Sequence, residues 1–248
     1  MNQSIQKLLN SIPRVDLTVE CVPDETMCSV QVDDPNDPKS LCIQMQIFWY
    51  FAGDPRTEWS QRMIAQIPPY DFIMPSAPGW LEEIREMYGE KLQPYTRFSF
   101  SAESLSRDRL TQLWETSPHK NLVHPMDLES IEILSSSPDT CFGIETFQSS
   151  QDFLDRGFGF VAKRDGQILG HAYSTLISKK GMEVSIWVTE RQRQRGMATT
   201  LASRLLLESL DRGLESHWDA ANGESVKLAK KLGYTFTGTY DAFYINKK

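Results

Sequence analysis

The residues best suited to chemistry lie close together near the C-terminal end, in the stretch EVSIWVTERQRQRGMATTLASRLLLESLD from Glu183 to Asp211. Three alternate arginines, Arg191, Arg193 and Arg195, run into Gly196 and Ala198. From Met197 the apolar positions Ala198, Leu201, Ala202, Leu205 and Leu206 recur at helical spacing, which predicts a helix that Gly213 can end. The first backbone N–H groups of a helix have no internal acceptor and lie at its positive dipole end. Placed behind a cationic turn, such a terminus is suited to holding phosphate. Gly196 removes the Cβ that would keep an anion from the backbone, and Ala198 keeps the next position small. A second helix is expected from Gly223, with Asn222 as its cap and Gly233 as its stop.

Several other chemistries are excluded by spacing. The four histidines (His119, His124, His171, His217) show no metal-ligand pattern and read as surface or packing residues. The cysteines Cys21, Cys28, Cys42 and Cys141 lack zinc-ligand spacing or a C-x-x-C pair and read as reduced thiols. Neither G-x-x-x-x-G-K-[ST] nor G-x-G-x-x-G occurs, which argues against a nucleotide fold. A net charge of -7 disfavours nonspecific nucleic-acid binding. The N-terminus lacks the apolar core of a signal peptide, and the run Cys42 to Ala52 is too short to span a bilayer, so the chain reads as cytoplasmic.

The elements that must position the loop are written in the second half of the chain. Val184, Ile186 and Val188 alternate with Glu183, Ser185 and Trp187 as a strand leading into the arginines. Ahead of it come a helix at Ser150 to Arg156, a strand at Phe158 to Lys163, an Asp165-Gly166 turn and a strand at Ile168 to Ser178. Beyond the helix a strand is expected at Glu215 to Ala220, with closing strands from Tyr234 to Ile245. The first half is less regular. It offers one helix before the turn-like DDPNDP, a single strand from Cys42 to Phe51, and a proline-rich extended segment from Ile67 to Gly79. Helices follow at Trp80 to Lys91, Ser104 to Glu115 and Asp127 to Leu134, with a short strand at Arg97 to Phe100. No catalytic motif is legible there, and Trp49, Tyr50, Trp59, Trp80 and Trp114 read as core aromatics.

The spacing Arg193-x-x-Gly196-x-Ala198 resembles the acyl-CoA pyrophosphate loop of the GNAT N-acetyltransferase superfamily. The run Asn222 to Tyr234, NGESVKLAKKLGY, resembles its second signature. The resemblance covers roughly residues 140 to 248. FGF at Phe158 and WDAAN at Trp218 look like a two-part subfamily with a degenerate GNAT-like N-terminal half, which includes enzymes acetylating amine-bearing antibiotics. It implies an α+β architecture. A GNAT domain, with a mixed, mostly antiparallel sheet and flanking helices, would span 136–248, after an α/β GNAT-like domain over 1–135.

By the same resemblance, acetyl-CoA as co-substrate would be held by Trp187, Val188, Arg191, Arg193, Gln194, Arg195, Gly196, Met197, Ala198 and Thr199. Asn222 and Ser225 would meet its pantetheine arm. Glu183 stands where many members place a general base, and a backbone N–H near Trp187 or Val188 would face the oxyanion. One departure is plain. Ala229 occupies the position of the tyrosine that usually serves the leaving thiolate, and nothing in the sequence selects Tyr173, Tyr240 or Tyr244 to replace it. The expectation is an N-acetyltransferase of a small-molecule amine, monomer or homodimer, with no nucleic acid, membrane or metal as partner. Ala229 favours the alternative, a noncatalytic acyl-CoA-binding or sensing protein.

Overall fold

The computed structural model describes residues 3–23 and 27–247. In chain order the elements begin with α1 (Gln3–Leu9), α2 (Thr18–Cys21), β1 (Ser29–Val32), β2 (Ser40–Met45), β3 (Phe48–Gly53) and α3 (Glu58–Ala65). Next come β4 (Phe72–Ile73), α4 (Trp80–Tyr88), β5 (Leu92–Ser101), α5 (Arg107–Glu115), β6 (Val123–Pro125), α6 (Leu128–Ser135) and α7 (Ser150–Arg156). The chain ends with β7 (Gly159–Arg164), β8 (Gln167–Ile177), β9 (Gly181–Val188), α8 (Met197–Asp211), β10 (Glu215–Ala220), α9 (Gly223–Leu232) and β11 (Thr235–Ile245). Two compact units result. One holds the residues up to Arg97 together with those from Thr239; the other is Phe98–Gly238.

In the first unit β1, β2 and β3 form an antiparallel meander, β4 pairs parallel with β3, and the end of β11 pairs antiparallel with β4. Its core is aromatic. Phe51 stacks on Trp80 at 4.7 Å, and both are fully buried. The polar tips are satisfied, as buried aromatics require: Trp80 Nε1 donates to Gly53 O at 3.1 Å and Trp49 Nε1 to Asp71 Oδ2 at 2.8 Å. The expected single strand from Cys42 to Phe51 is a hairpin, because Gln46 takes a positive φ of 52° and turns the chain between Met45 and Phe48. The unexpected β1, the four residues SVQV, alternates strictly and pairs with β2, but two periods are too short to stand out from the polar sequence that follows.

In the second unit β6, β7, β8 and β9 form an antiparallel run, and β10 adds parallel to β9. Helix α8 packs on this sheet through Leu201, Leu205 and Leu206, which share a core with Phe160, Ala172 and Met182. Helix α5 lies against α8, Leu110 fully buried in the same core and Arg107 paired to Asp211 at 2.8 Å. That packing places the expected boundary at 135/136 inside this unit. Residues 98–135 belong with α8, while the C-terminal strand returns to the first unit. Among the described residues no helix is long and apolar enough to cross a membrane.

Candidate functional site

Strand β9 alternates across the sheet. Met182, Val184, Ile186 and Val188 pack into the core beneath α8, so Glu183, Ser185 and Trp187 face the other side. Its pairing with β10 is short. Gly181, Met182 and Glu183 oppose Glu215, Ser216 and His217, and there the parallel register stops. From Trp218 to Ala220, β10 pairs instead with β5. Val184 to Val188 therefore have no β10 partner, and a wedge opens between two strands that start out joined. Glu183 sits at its closed end and is 8 % exposed.

The open end leads to the arginine turn. Gly196 caps α8 in the left-handed region with φ of 89°, and no side chain caps the helix. Gln194 also has a positive φ, 58°. Among the described residues the backbone N–H groups of residues 194–199 find no acceptor; the first helical bond is Thr200 N to Gly196 O at 3.0 Å. Arg191, Arg193 and Arg195 are exposed, and none is in an ion pair among the described residues. The first turn of α8 contains no acidic residue. Successive unpartnered N–H groups that follow exposed cations in the chain are suited to holding an anion.

The expected ligand-holding residues fall on the end of β9, the arginine turn, the first turn of α8 and the start of α9. Met197 is fully buried and Thr199 nearly so, which leaves their backbone N–H groups for a ligand. Trp187 stacks on His171, centroids 5.6 Å apart. Asn222 Oδ1 accepts from Ser225 N at 3.0 Å and caps α9, leaving its Nδ2 uncommitted. Ser225 Oγ accepts from Trp218 Nε1 at 3.1 Å, which keeps its own proton available.

Behind Trp187 lies a polar cluster that the sequence did not announce. His171 Nε2 donates to Thr140 O at 2.8 Å, while burial lowers its pKa to about 4 and keeps the ring neutral. Tyr173 OH donates to Gly143 O at 2.9 Å and accepts from Gly143 N at 3.1 Å; burial raises its pKa. Ala229 is fully buried and can offer no proton. Tyr234, at the end of α9, is held well above the ordinary phenol range by burial first and the Glu183 charge second.

Sequence reasoning also missed Ser117, His119 and Thr200. His119 Nε2 donates to Arg195 O at 2.7 Å, and Ser117 Oγ bonds Thr200 Oγ1 at 2.5 Å. These residues lie far apart in the chain, and no local pattern marks them. Among the described residues no group of three His, Cys, Asp or Glu side chains could hold a metal.

A strand that parts from its neighbour and delivers an uncapped helix start that follows exposed cations defines the acetyl-CoA-using architecture of one family. The chain belongs to it: the GNAT acetyltransferase family model matches residues 6–243, across both units. It is similar to an uncharacterized N-acetyltransferase, YdfB, of Bacillus subtilis (strain 168), 25% identical over 226 residues that cover 87% of this chain and 85% of that protein. The crystal structure of a GCN5-related N-acetyltransferase-like protein from Streptococcus suis 89/1591 is 26% identical, with a TM-score of 0.82 over 98% of this chain and 97% of that one. A GCN5-related N-acetyltransferase from Kribbella flavida shares the fold alone, at 12% identity and a TM-score of 0.58 over 100% and 97% of the two chains.

Proposed function

We propose that the protein is an acetyl-CoA-dependent N-acetyltransferase that moves the acetyl group to the amine of a small molecule in the cytoplasm. The observation that carries this reading is the run of unpartnered N–H groups at residues 194–199, set at the mouth of the wedge between β9 and β10. In this reading the N–H groups and Arg191, Arg193 and Arg195 hold the diphosphate of the co-substrate. Val188 and Trp187 line the wedge with backbone, Asn222 Nδ2 and Ser225 Oγ meet the pantetheine arm, and the acetyl group reaches toward Glu183. A lysine-like amine is protonated near neutral pH and must lose a proton to attack. Glu183, on the face away from α8, takes that proton directly or through a water. A β9 N–H near Trp187 or Val188 steadies the negative oxygen that develops on the acetyl group. The first unit, which lacks any Arg-x-x-Gly-x-Ala loop, is read as a degenerate GNAT-like half with no co-substrate loop of its own.

One observation favours a second reading, a noncatalytic acyl-CoA-binding protein: the buried Ala229 supplies no acid for the leaving thiolate. A thiol with a pKa of about 8.5 leaves tolerably without help, so turnover does not require that acid. The test is the release of free thiol from acetyl-CoA across a panel of small amines, run beside the thermal shift that CoA produces. A shift with amine-dependent release supports the transferase; a shift without release for any amine leaves the binding protein. Absence of both overturns each.

A further inference from the structure

The peptide bonds that flank Gly196 should be the least determined part of the anion site. Glycine tolerates either sign of φ, so a peptide flip could turn a carbonyl toward the ligand where an N–H is needed. The structure holds both neighbouring carbonyls from outside the loop. His119 Nε2 donates to Arg195 O at 2.7 Å. Gly196 O accepts Thr200 Oγ1 at 3.0 Å, in addition to the helical bond from Thr200 N. With its own proton committed there, Thr200 Oγ1 accepts from Ser117 Oγ at 2.5 Å, and Ser117 Oγ accepts from His119 N at 3.1 Å. One residue therefore reaches both carbonyls, directly through its ring and through two hydroxyls from its backbone.

A trans peptide is planar, and its C=O and N–H point in opposite directions. Pinning Arg195 O toward His119 aims the N–H of Gly196 away from it. Pinning Gly196 O does the same for the N–H of Met197. Neither N–H has an acceptor among the described residues. The ring lies beside the glycine, His119 Cδ2 standing 4.0 Å from where a Gly196 Cβ would be.

We infer that His119, with Ser117 and Thr200, is a positioning residue for the diphosphate of the acyl donor, setting the N–H groups of Gly196 and Met197 toward it. This rests on the acyl-CoA reading of the loop. The experiment measures dissociation constants for two probes that share the diphosphate, CoA and adenosine 3′-phosphate 5′-diphosphate, together with the ligand-free melting temperature. His119→Ala should weaken both probes by about tenfold, as expected when one ordering hydrogen bond is lost. His119→Gln, whose amide can donate from near the Nε2 position, should recover most of that loss. Ser117→Ala removes only the hydroxyl relay and should cost about threefold, which keeps the inference testable if His119→Ala folds poorly. Wild-type affinity in both His119→Ala and Ser117→Ala overturns the clamp, as does a loss confined to CoA or one that His119→Gln fails to recover. Wild-type protein that binds neither probe overturns the acyl-CoA reading itself, and the clamp with it.

Discussion

Helix α4 in the first unit and helix α8 in the second both start at a left-handed glycine, Gly79 at φ 91° and Gly196 at φ 89°, and neither receives a side-chain cap. Their surroundings are electrically opposite. The first turn of α4 carries Glu82 and Glu83, and Glu83 is paired with Arg56 at 2.8 Å and accepts from Gln61 at 3.2 Å. The first turn of α8 carries no acid and follows three unpaired arginines. Carboxylates at a helix N-terminus answer its dipole from within the chain. A terminus that lacks them, and is preceded by cations, leaves that stabilisation to a ligand. Backbone geometry alone would rank the two ends as equals; the residues around each glycine decide which one is suited to an anion.

The sharpest use of this contrast concerns the strand that feeds α8. If catalysis belongs to the second unit, Glu183→Gln should lower kcat/KM by about 10²–10⁴-fold near pH 7 while CoA affinity hardly changes. The deficit should shrink as pH rises toward about 9.5, because more of the amine is then free without the enzyme's help. Parallel pH profiles for the wild type and the variant would remove Glu183 from the chemistry.

The second unit also buries an imidazole beside strand β9. His171 has a folded pKa of about 4, lowered by burial, against an ordinary value of 6.5. Between those values the unfolded chain binds the extra proton, so stability is complete above about pH 6.5 and falls as pH drops toward 4. The loss on acidification is of order 3 kcal/mol, at about 1.4 kcal/mol per pKa unit. His171→Gln keeps a donor for Thr140 O and removes the titration. Its melting temperature should therefore fall less than that of the wild type between pH 6.5 and 4. Equal slopes would mean that His171 is not buried neutral.

The two glycines can be compared directly. CoA at about a hundredfold excess over its dissociation constant should stabilise the wild type by about 2.7 kcal/mol. Gly196→Asp sets a carboxylate against the phosphates and should abolish that increment. Gly79→Asp should leave it intact. Both substitutions put a side chain at positive φ, and Pro55 Cγ lies 3.3 Å from a Cβ at Gly79, so both should lower the ligand-free melting temperature. Only the increment distinguishes them. Loss of the CoA increment in Gly79→Asp, or its survival in Gly196→Asp, would undo the contrast between α4 and α8.

What could be read beforehand follows the same division. Helix α7, the Asp165-Gly166 turn, strand β10 and the Asn222 cap depend on neighbours in sequence, and each lies within a residue or two of where composition puts it. The arginine turn was legible because its parts are contiguous. The hairpin at Gln46 was not, since an amide followed by the exposed Ile47 carries no turn signal. The unit boundary at Arg97 falls inside β5, where neither proline-rich linker nor change of pattern marks it. The His119 contact joins residues whose bond depends on how α5 lies against α8, which periodicity does not specify.

The smallest expected effect separates two roles for one side chain. Helix α9 is the closed counterpart of α8: Asn222 Oδ1 accepts from Ser225 N, so this N-terminus is satisfied by its own chain. Removing such a cap costs about 1 kcal/mol, and Asn222→Ala should lower the melting temperature accordingly. Asn222 Nδ2 has no partner among the described residues, and whether it meets the pantetheine arm is the separate question. Asn222→Asp preserves the accepting oxygen and adds a charge that the helix dipole favours, so stability should hold or rise slightly. It removes the Nδ2 donor. If that donor meets the ligand, Asn222→Asp should bind CoA several-fold more weakly at unchanged ligand-free stability, the size of one lost hydrogen bond. Alanine would then lose both properties and aspartate one. Should aspartate bind CoA as tightly as the wild type, Asn222 caps α9 and does nothing more.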